Sequence, residues 1–105
     1  MFSSSVDYFQ GRPVLRLMGD LTLEHSRDIL SGLLASLSSH SDVTIDMRDS
    51  TKSDLSFFQI LYALLKHPGA NIRFARLPQH LFDNATALGA DDLMQELSTR
   101  MEKNT

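Results

Sequence analysis

The sequence predicts a small α/β domain, a mixed β-sheet with helices mainly on one face. Strand and helix patterns alternate along the chain, which is typical of parallel pairing through helical crossovers. Two predicted inner strands have one apolar and one polar face, whereas a strand covered on both faces is a continuous apolar run. Because 105 residues fit one domain, we expect a single domain over 1–105. Its core is expected at about 6–98, with frayed ends at 1–4 and 102–105.

The first half of the chain predicts two strands, a helix and a third strand. Residues 6–9 form a short apolar run typical of an edge strand, and a Gly-Arg-Pro turn separates it from the strand at 14–18. Thr22 offers its hydroxyl as the N-cap of the first helix. Apolar residues three or four apart, beginning at Leu23, predict the buried face of that helix. Residues 42–48 then alternate apolar and polar side chains.

The second half predicts a helix, a strand and two further helices. The helix falls within 50–67, and residues 71–77 alternate as a strand. Pro78 opens the next helix and Gly89 closes it. Asp91 or Asp92 caps the last helix. The predicted order is strand, strand, helix, strand, helix, strand, helix, helix, with right-handed crossovers between parallel strands.

Composition excludes several classes of protein. The chain has no Cys, so disulfides, thiolate catalysis and Cys-ligated zinc are absent. A net charge of -3 disfavours nucleic acid as a partner. The sequence contains no apolar run long enough to span a membrane, and residues 1–5 do not resemble a signal peptide. We therefore expect a cytoplasmic protein without direct membrane insertion.

Motifs for cofactors, metals and catalysis are missing. Neither a phosphate-binding glycine loop nor a Gly-x-Ser-x-Gly elbow occurs. The four histidines are far apart in the sequence and lack metal-ligand spacing. The sequence thus predicts no enzyme activity, no cofactor and no metal site. The histidines are His25, His40, His67 and His80.

The most informative segment is 46–61, where a predicted strand ends, a polar loop follows and a helix begins. Side-chain oxygens are frequent in the loop. Asp54 or Ser56 can cap the helix, and Ser56 with Gln59 fits a capping box. A well-capped crossover loop is one interpretation of this pattern, and a binding surface is the other.

The helix in this segment has an unusually wide apolar face. Its apolar side chains cover an arc of roughly 220°, whereas a surface helix needs about 100°. Burial between the sheet and a neighbouring helix is one explanation, and an exposed patch for a partner is another. The arc contains Leu55, Phe57, Phe58, Ile60, Leu61, Tyr62, Leu64 and Leu65.

Four segments together resemble the STAS domain family of bacterial anti-sigma factor antagonists, over about residues 6–98. Residues 14–22 resemble the family's strand followed by Gly-x-Leu-Thr, and residues 43–47 its central strand ending in Asp. Residues 53–61 resemble the Asp-Ser-Ser-Gly-Leu-x-x-Leu signature. Leu88-Gly89 and the leucines after it resemble the Gly-Leu and helix near the family's C-terminus.

The resemblance implies a non-enzymatic domain with helices on one side of a small sheet. It also implies that a kinase of the anti-sigma factor type binds at the loop of Asp54 and the following helix. In many members the serine after this aspartate is phosphorylated, but here that residue is Leu55. Two mechanisms remain. The domain docks constitutively, with Leu55 and Phe58 as an apolar anchor, or phosphate is added to Ser56 or Ser53.

These observations predict a regulatory module that docks on a kinase-type anti-sigma factor or a related signalling kinase. An alternative is an accessory subunit of a membrane transporter of the phospholipid-transport ATPase type. A third hypothesis is a small enzyme that uses Asp46, Asp54 and a histidine. Self-association through the polar sheet face or the edge strand stays open. The predicted partner-binding residues are Asp20, Thr22, Ser50, Lys52, Asp54, Leu55, Ser56, Phe58 and Tyr62.

Overall fold

A computed structural model describes residues 1–67, 69 and 71–101. Within them the chain forms five strands, four α-helices and a 3-10 turn. The strands are β1 (Phe2–Phe9), β2 (Arg12–Leu21), β3 (Asp42–Asp46), β4 (Ser50–Ser53) and β5 (Asn71–Phe74). The helices are α1 (Ser26–Ser39), α2 (Leu55–Leu65), α3 (Gln79–Leu88) and α4 (Asp91–Thr99), and the 3-10 turn (Leu23–His25) lies between β2 and α1.

The strands form one mixed sheet in the order β1-β2-β3-β5. The pairing of β1 with β2 is antiparallel, and β3 pairs parallel with both β2 and β5. The sheet's buried apolar side chains alternate with polar ones such as Arg16 and Thr44 on the other face. All four helices contribute buried side chains to a single core with the sheet. The predicted mixed sheet with a polar face is confirmed.

The first strand begins earlier than the sequence predicts. It starts at Phe2 rather than at residue 6, so residues 2–4 are paired with β2 instead of frayed. The Met1 carbonyl accepts a hydrogen bond from the Asp20 amide at 2.8 Å. Gly19 makes this approach possible, because a Cβ there would lie 2.0 Å from the Met1 oxygen. Residues 102–105 lie outside the described part of the chain.

Strand β4 was predicted as loop, and that prediction is wrong. Its sequence, Ser-Thr-Lys-Ser, lacks the apolar alternation that marks a strand. It pairs parallel with the second half of β2, after β3 has ended at Asp46. The pairing satisfies backbone groups of β2 that β3 does not reach, and such groups are costly to leave unpaired.

Two of the predicted helix boundaries need correction. Thr22 precedes the 3-10 turn and makes no capping hydrogen bond with its side chain. The last helix has Ala90 at its N-cap position, so that Asp91 and Asp92 lie in its first turn. By contrast, α3 follows Pro78 and ends at Gly89 in the left-handed region, as predicted. None of the described helices is both long and apolar enough to cross a membrane.

Candidate docking edge

The two loops that the sequence selects lie side by side. Because β4 pairs with the end of β2, Asp20 lies opposite Lys52 and Leu21 opposite Ser53. The chain then enters the 3-10 turn on one side and α2 on the other. We call residues 20–23 and 50–56 the docking edge.

Asp54 joins the two halves of the docking edge. Its Oδ1 accepts hydrogen bonds from the Ser56 amide at 3.1 Å and the Phe57 amide at 3.4 Å, and also from the Ser56 hydroxyl. Its Oδ2 accepts from the Leu23 amide at 3.0 Å, across 31 residues of sequence. The predicted cap by Asp54 is therefore confirmed, and Ser56 lies inside the helix as a donor to it.

These donors keep Asp54 ionised. Partial burial raises the pKa of its carboxyl, but the hydrogen bonds from Ser56, Leu23 and Phe57 outweigh burial. The pKa consequently lies below the usual 3.8. A carboxylate at the start of α2 also interacts favourably with the helix dipole.

Asp20 is held at the opposite end of the edge. Its Oδ1 accepts a hydrogen bond from the Thr51 hydroxyl at 2.7 Å, and its Oδ2 is paired with the Met1 amino group at 2.7 Å. These two partners lower the pKa of Asp20 from 3.8 to about 2. Lys52 extends into solvent beside them. The polar part of the docking edge is thus charged and ordered at neutral pH.

Two leucines are exposed at the docking edge. Leu55 keeps 54% of its surface exposed and Leu23 keeps 70%. Leu55 follows Asp54 in sequence, and the amide of Leu23 is bonded to the same aspartate. The sequence predicted Leu23 on the buried face of the first helix, and this is wrong because Leu23 lies in the 3-10 turn. Its exposed position could not be found from the helical spacing.

Phe58 is not part of the docking edge surface. It is 1% exposed and lies in the core with Phe57 and Leu61. The interpretation of Phe58 as an apolar anchor for a partner is therefore wrong. Of the wide apolar arc of α2, the core takes most side chains, and Leu55 and Tyr62 remain exposed.

Tyr62 connects α2 with α4 instead of facing solvent freely. Its hydroxyl donates a hydrogen bond to Asp92 Oδ1 at 3.1 Å. Burial and the neighbouring Asp92 carboxylate both raise the pKa of Tyr62. The residue as a whole is 37% exposed.

His80 brings Ser50 and Ser53 together beneath the docking edge. Its Nε2 lies 2.7 Å from the Ser50 hydroxyl, and its Nδ1 lies 3.1 Å from the Ser53 hydroxyl. Ser50 donates to the Met47 carbonyl at 2.6 Å, and the Asn84 amide donates to Ser53 Oγ at 2.9 Å. Every one of these hydrogen bonds has a donor and an acceptor when the His80 Nε2–H donates to the Ser50 hydroxyl and the His80 Nδ1 accepts from the Ser53 hydroxyl.

Burial lowers the pKa of His80, although nearby Asp83 acts in the opposite direction. The neutral ring that the hydrogen bonds require is thereby favoured. This network fastens α3 to β4, and no local pattern in the sequence predicts it. Each of its bonds between β4 and α3 joins residues that are 27 to 31 apart in the chain.

The two candidate phosphoacceptors differ in accessibility. Ser53 is 9% exposed and its hydroxyl is bonded to His80 and Asn84. Ser56 is half-buried, and its hydroxyl donates to Asp54. A phosphate on Ser56 would place a dianion against the Asp54 carboxylate, so it would oppose the cap instead of reinforcing it.

The residues of the small-enzyme hypothesis are not gathered in one described cavity. Asp46 faces a groove of about 590 Å³ on the open side of the sheet, where its Oδ1 accepts from the Arg48 amide at 2.9 Å. Neither Asp54 nor a described histidine lines that groove. Elsewhere, Asp20, Glu24 and His25 place ligand atoms within 4.8 Å of one another. Asp20 is already paired, and we assign no metal there.

A mixed sheet with helices packed on one face defines the fold class, a small α/β domain. The chain belongs to the STAS domain family. Residues 5–97 match the family described as "Mlab, STAS domain". No curated protein matches the sequence significantly.

Solved structures with this fold include two anti-sigma factor antagonists. One, from Mycobacterium paratuberculosis, has a TM-score of 0.71 at 13% identity, with 93% of this chain and 95% of that chain covered. SpoIIAA in its unphosphorylated form has a TM-score of 0.59 at 13% identity, with 100% and 90% covered. An uncharacterised SpoIIAA-like protein from Shewanella loihica has a TM-score of 0.52 at 18% identity, with 84% and 75% covered. The predicted family and fold class are confirmed.

Proposed function

We propose that this chain is a non-enzymatic, cytoplasmic regulatory module that docks on a partner protein through the docking edge. The observation that carries the proposal is the exposure of Leu55 in the first turn of α2, with Leu23 beside the same aspartate. Two leucines exposed to this extent on an ordered edge favour contact with another protein.

The docking edge suits such contact because its polar groups are already paired. Asp54 and Asp20 hold the two loops together through hydrogen bonds that do not involve Leu23 or Leu55 side chains. A surface ordered before binding loses less conformational entropy when a partner arrives. The leucines would then lie at the apolar centre, and Lys52 and Thr51 at its polar rim.

For the partner we propose a kinase-type anti-sigma factor or a related signalling kinase. Membership in the STAS family and a fold shared with anti-sigma factor antagonists support this choice. We further propose that docking here is constitutive. Leu55 has no hydroxyl to accept phosphate, the Ser53 hydroxyl is buried, and a phosphate on Ser56 would repel Asp54.

A second candidate function is an accessory subunit of a membrane transporter of the phospholipid-transport ATPase type. The observation that favours it is again Leu55, because a permanent subunit needs an apolar contact and no switch. In this case the same docking edge would bind the transporter's ATPase subunit. The two candidate functions therefore predict different binding partners for the docking edge.

The test is affinity capture from the native cell with Leu55→Glu as the variant. We expect the variant to recover at least about tenfold less partner, because a carboxylate in an apolar contact loses more than about 1.4 kcal/mol. Quantitative mass spectrometry measures recovery and identifies the partner. A signalling kinase supports the first function, and a transporter ATPase the second.

Leu88→Glu is the matched control. Leu88 is 45% exposed at the end of α3, outside the docking edge, so the same charge is added to a similarly exposed leucine. Circular dichroism checks that both variants keep the fold. Equal recovery by the wild type and Leu55→Glu would refute the docking edge, and phosphate found on Ser53 or Ser56 in the captured protein would refute constitutive docking.

A further inference from the structure

Strand β1 is a long sheet edge without the usual protection against pairing. It contains eight residues, and its outer side has no neighbouring strand among the described residues. Edge strands are commonly protected by Pro, Lys, a bulge or a short length. In β1 none of these occurs, and Asp7 is its one charged residue. The backbone N–H and C=O groups on the outer side of β1 are therefore available to pair with another strand.

The side chains of β1 differ on its two faces. Phe2 stacks on His25 and Tyr8 meets His40 edge-on, each with ring centroids 6.0 Å apart, so even-numbered residues face the helices. Odd-numbered residues face the open side, where Asp7 pairs with Arg16 at 3.0 Å. Tyr8 is nevertheless 63% exposed.

We propose that β1 pairs antiparallel with β1 of a second copy of this chain, with Ser5 on the two-fold axis. Such a contact uses the same surface of both copies and closes as a dimer. A two-fold axis perpendicular to a continuous sheet places side chains that point to the same face opposite each other. Since the faces of β1 alternate between even-numbered and odd-numbered residues, two opposed residues are both even-numbered or both odd-numbered. Their numbers therefore sum to an even value.

The register centred on Ser5 is the one that the side chains favour. It places Phe2 opposite Tyr8 of the second copy, twice in the dimer, and aromatic cross-strand pairs stabilise sheets. It also places Ser3 opposite the second copy's Asp7, where the hydroxyl donates to the carboxylate. No charged residue faces a like charge. Pairing over residues 2–8 adds on the order of six inter-strand hydrogen bonds.

A register shifted by two residues fits less well. With Val6 on the axis, Ser3 would lie opposite Phe9 and Ser4 opposite Tyr8. Both aromatic pairs would be lost, and Phe2 would have no opposite residue in the strand. The Ser5-centred register is therefore part of the proposal.

A groove between β1 and α1 provides room for the second copy's side chains. Its volume is about 430 Å³, and its helix side is lined by small residues such as Gly32 and Ala35. Val6 and Tyr8 form its strand side. These are the even-numbered positions that face Ser4 and Phe2 of the second copy in the proposed register. The second copy therefore covers surface that β1 leaves exposed.

Sedimentation velocity of the full chain over a range of concentrations tests the proposal. We expect a reversible dimer in the wild type. Ser5→Glu places two carboxylates directly opposite each other on the axis, so we expect its dimer Kd to rise about tenfold or more. Within one copy, residue 5 lies opposite Arg16, so this carboxylate is compatible with the folded monomer.

Two further variants make the result specific for the register. Ser31→Glu adds the same charge on an exposed position of α1, outside β1, and should change the dimer Kd less than about twofold. Ser3→Lys places an ammonium opposite the second copy's Asp7 and should tighten the dimer. A monomeric wild type, equal effects of Ser5→Glu and Ser31→Glu, or weakening by Ser3→Lys would each overturn the proposal.

Discussion

The two helix starts at the docking edge are capped in different ways. At the start of α2, Asp54 accepts from the amides of Ser56 and Phe57, which lie two and three residues after it in the sequence. At the start of the 3-10 turn, the Thr22 hydroxyl makes no capping bond, although its residue type is suited to the task. The Leu23 amide donates to Asp54 instead.

The difference shows that a helix start can be capped by a distant residue. One oxygen of Asp54 serves its own helix and the other serves a turn 31 residues away. Local capping rules describe the first bond and miss the second. Because one side chain accepts both bonds, a single carboxylate caps both helix starts.

The largest effect should follow from Asp54→Ala, which removes both caps at once. We expect the free energy of unfolding to fall by about 2 kcal/mol, since a cap is lost and the Leu23 amide loses its partner. Urea denaturation at neutral pH measures this. Asp49→Ala, at an exposed aspartate in the preceding turn, is the control and should change stability little. Equal losses in both variants would contradict a shared cap.

An intermediate effect should follow from Asp54→Asn, and it should depend on pH. The amide keeps one carbonyl oxygen, so we expect a loss of about 1 kcal/mol at neutral pH. Since the folded-state pKa of Asp54 lies below 3.8, its contribution is present above that pH and is lost as the pH falls through the folded value.

The difference in stability between the wild type and Asp54→Asn should therefore shrink as the pH falls below 3.8. Asp20, with a pKa of about 2, titrates in the same range but is present in both proteins. Its contribution cancels in the difference. Urea denaturation at a series of pH values measures the trend, and a difference that stays constant into acid would argue against an ionised cap.

The smallest effect should follow from Thr22→Ala. Because the Thr22 hydroxyl caps nothing, we expect the free energy of unfolding to change by less than about 0.5 kcal/mol. The same urea measurement is sufficient. A loss as large as that of Asp54→Ala would show that the two helix starts are capped alike after all.

Much of the fold follows from patterns in the sequence. The alternation in β3 and β5 predicted a sheet with one polar face, and Pro78 and Gly89 correctly marked the limits of α3. Strand β4 was missed because its pairing comes from the length of β2 and not from its own side chains. Local sequence does not contain that information.

The docking edge was only partly predictable. The cap at Asp54 was visible in the residue types, whereas the role of Leu55 stays a prediction. Helical periodicity defined the wide apolar arc of α2 but could not show which part of it the core would cover, so Phe58 was misplaced. The contacts of His80 and Leu23 join distant segments, and only the tertiary fold brings them together.

The pairing of β4 has a consequence for how such a domain can diverge. Among the described strands, β4 is paired with β2 alone, beyond the point where β3 ends. Substitutions in this short strand and its loop therefore leave the β3-β5 pairing untouched. Within β4 this freedom is confined to exposed positions such as Lys52, because Ser50 and Ser53 are held by His80.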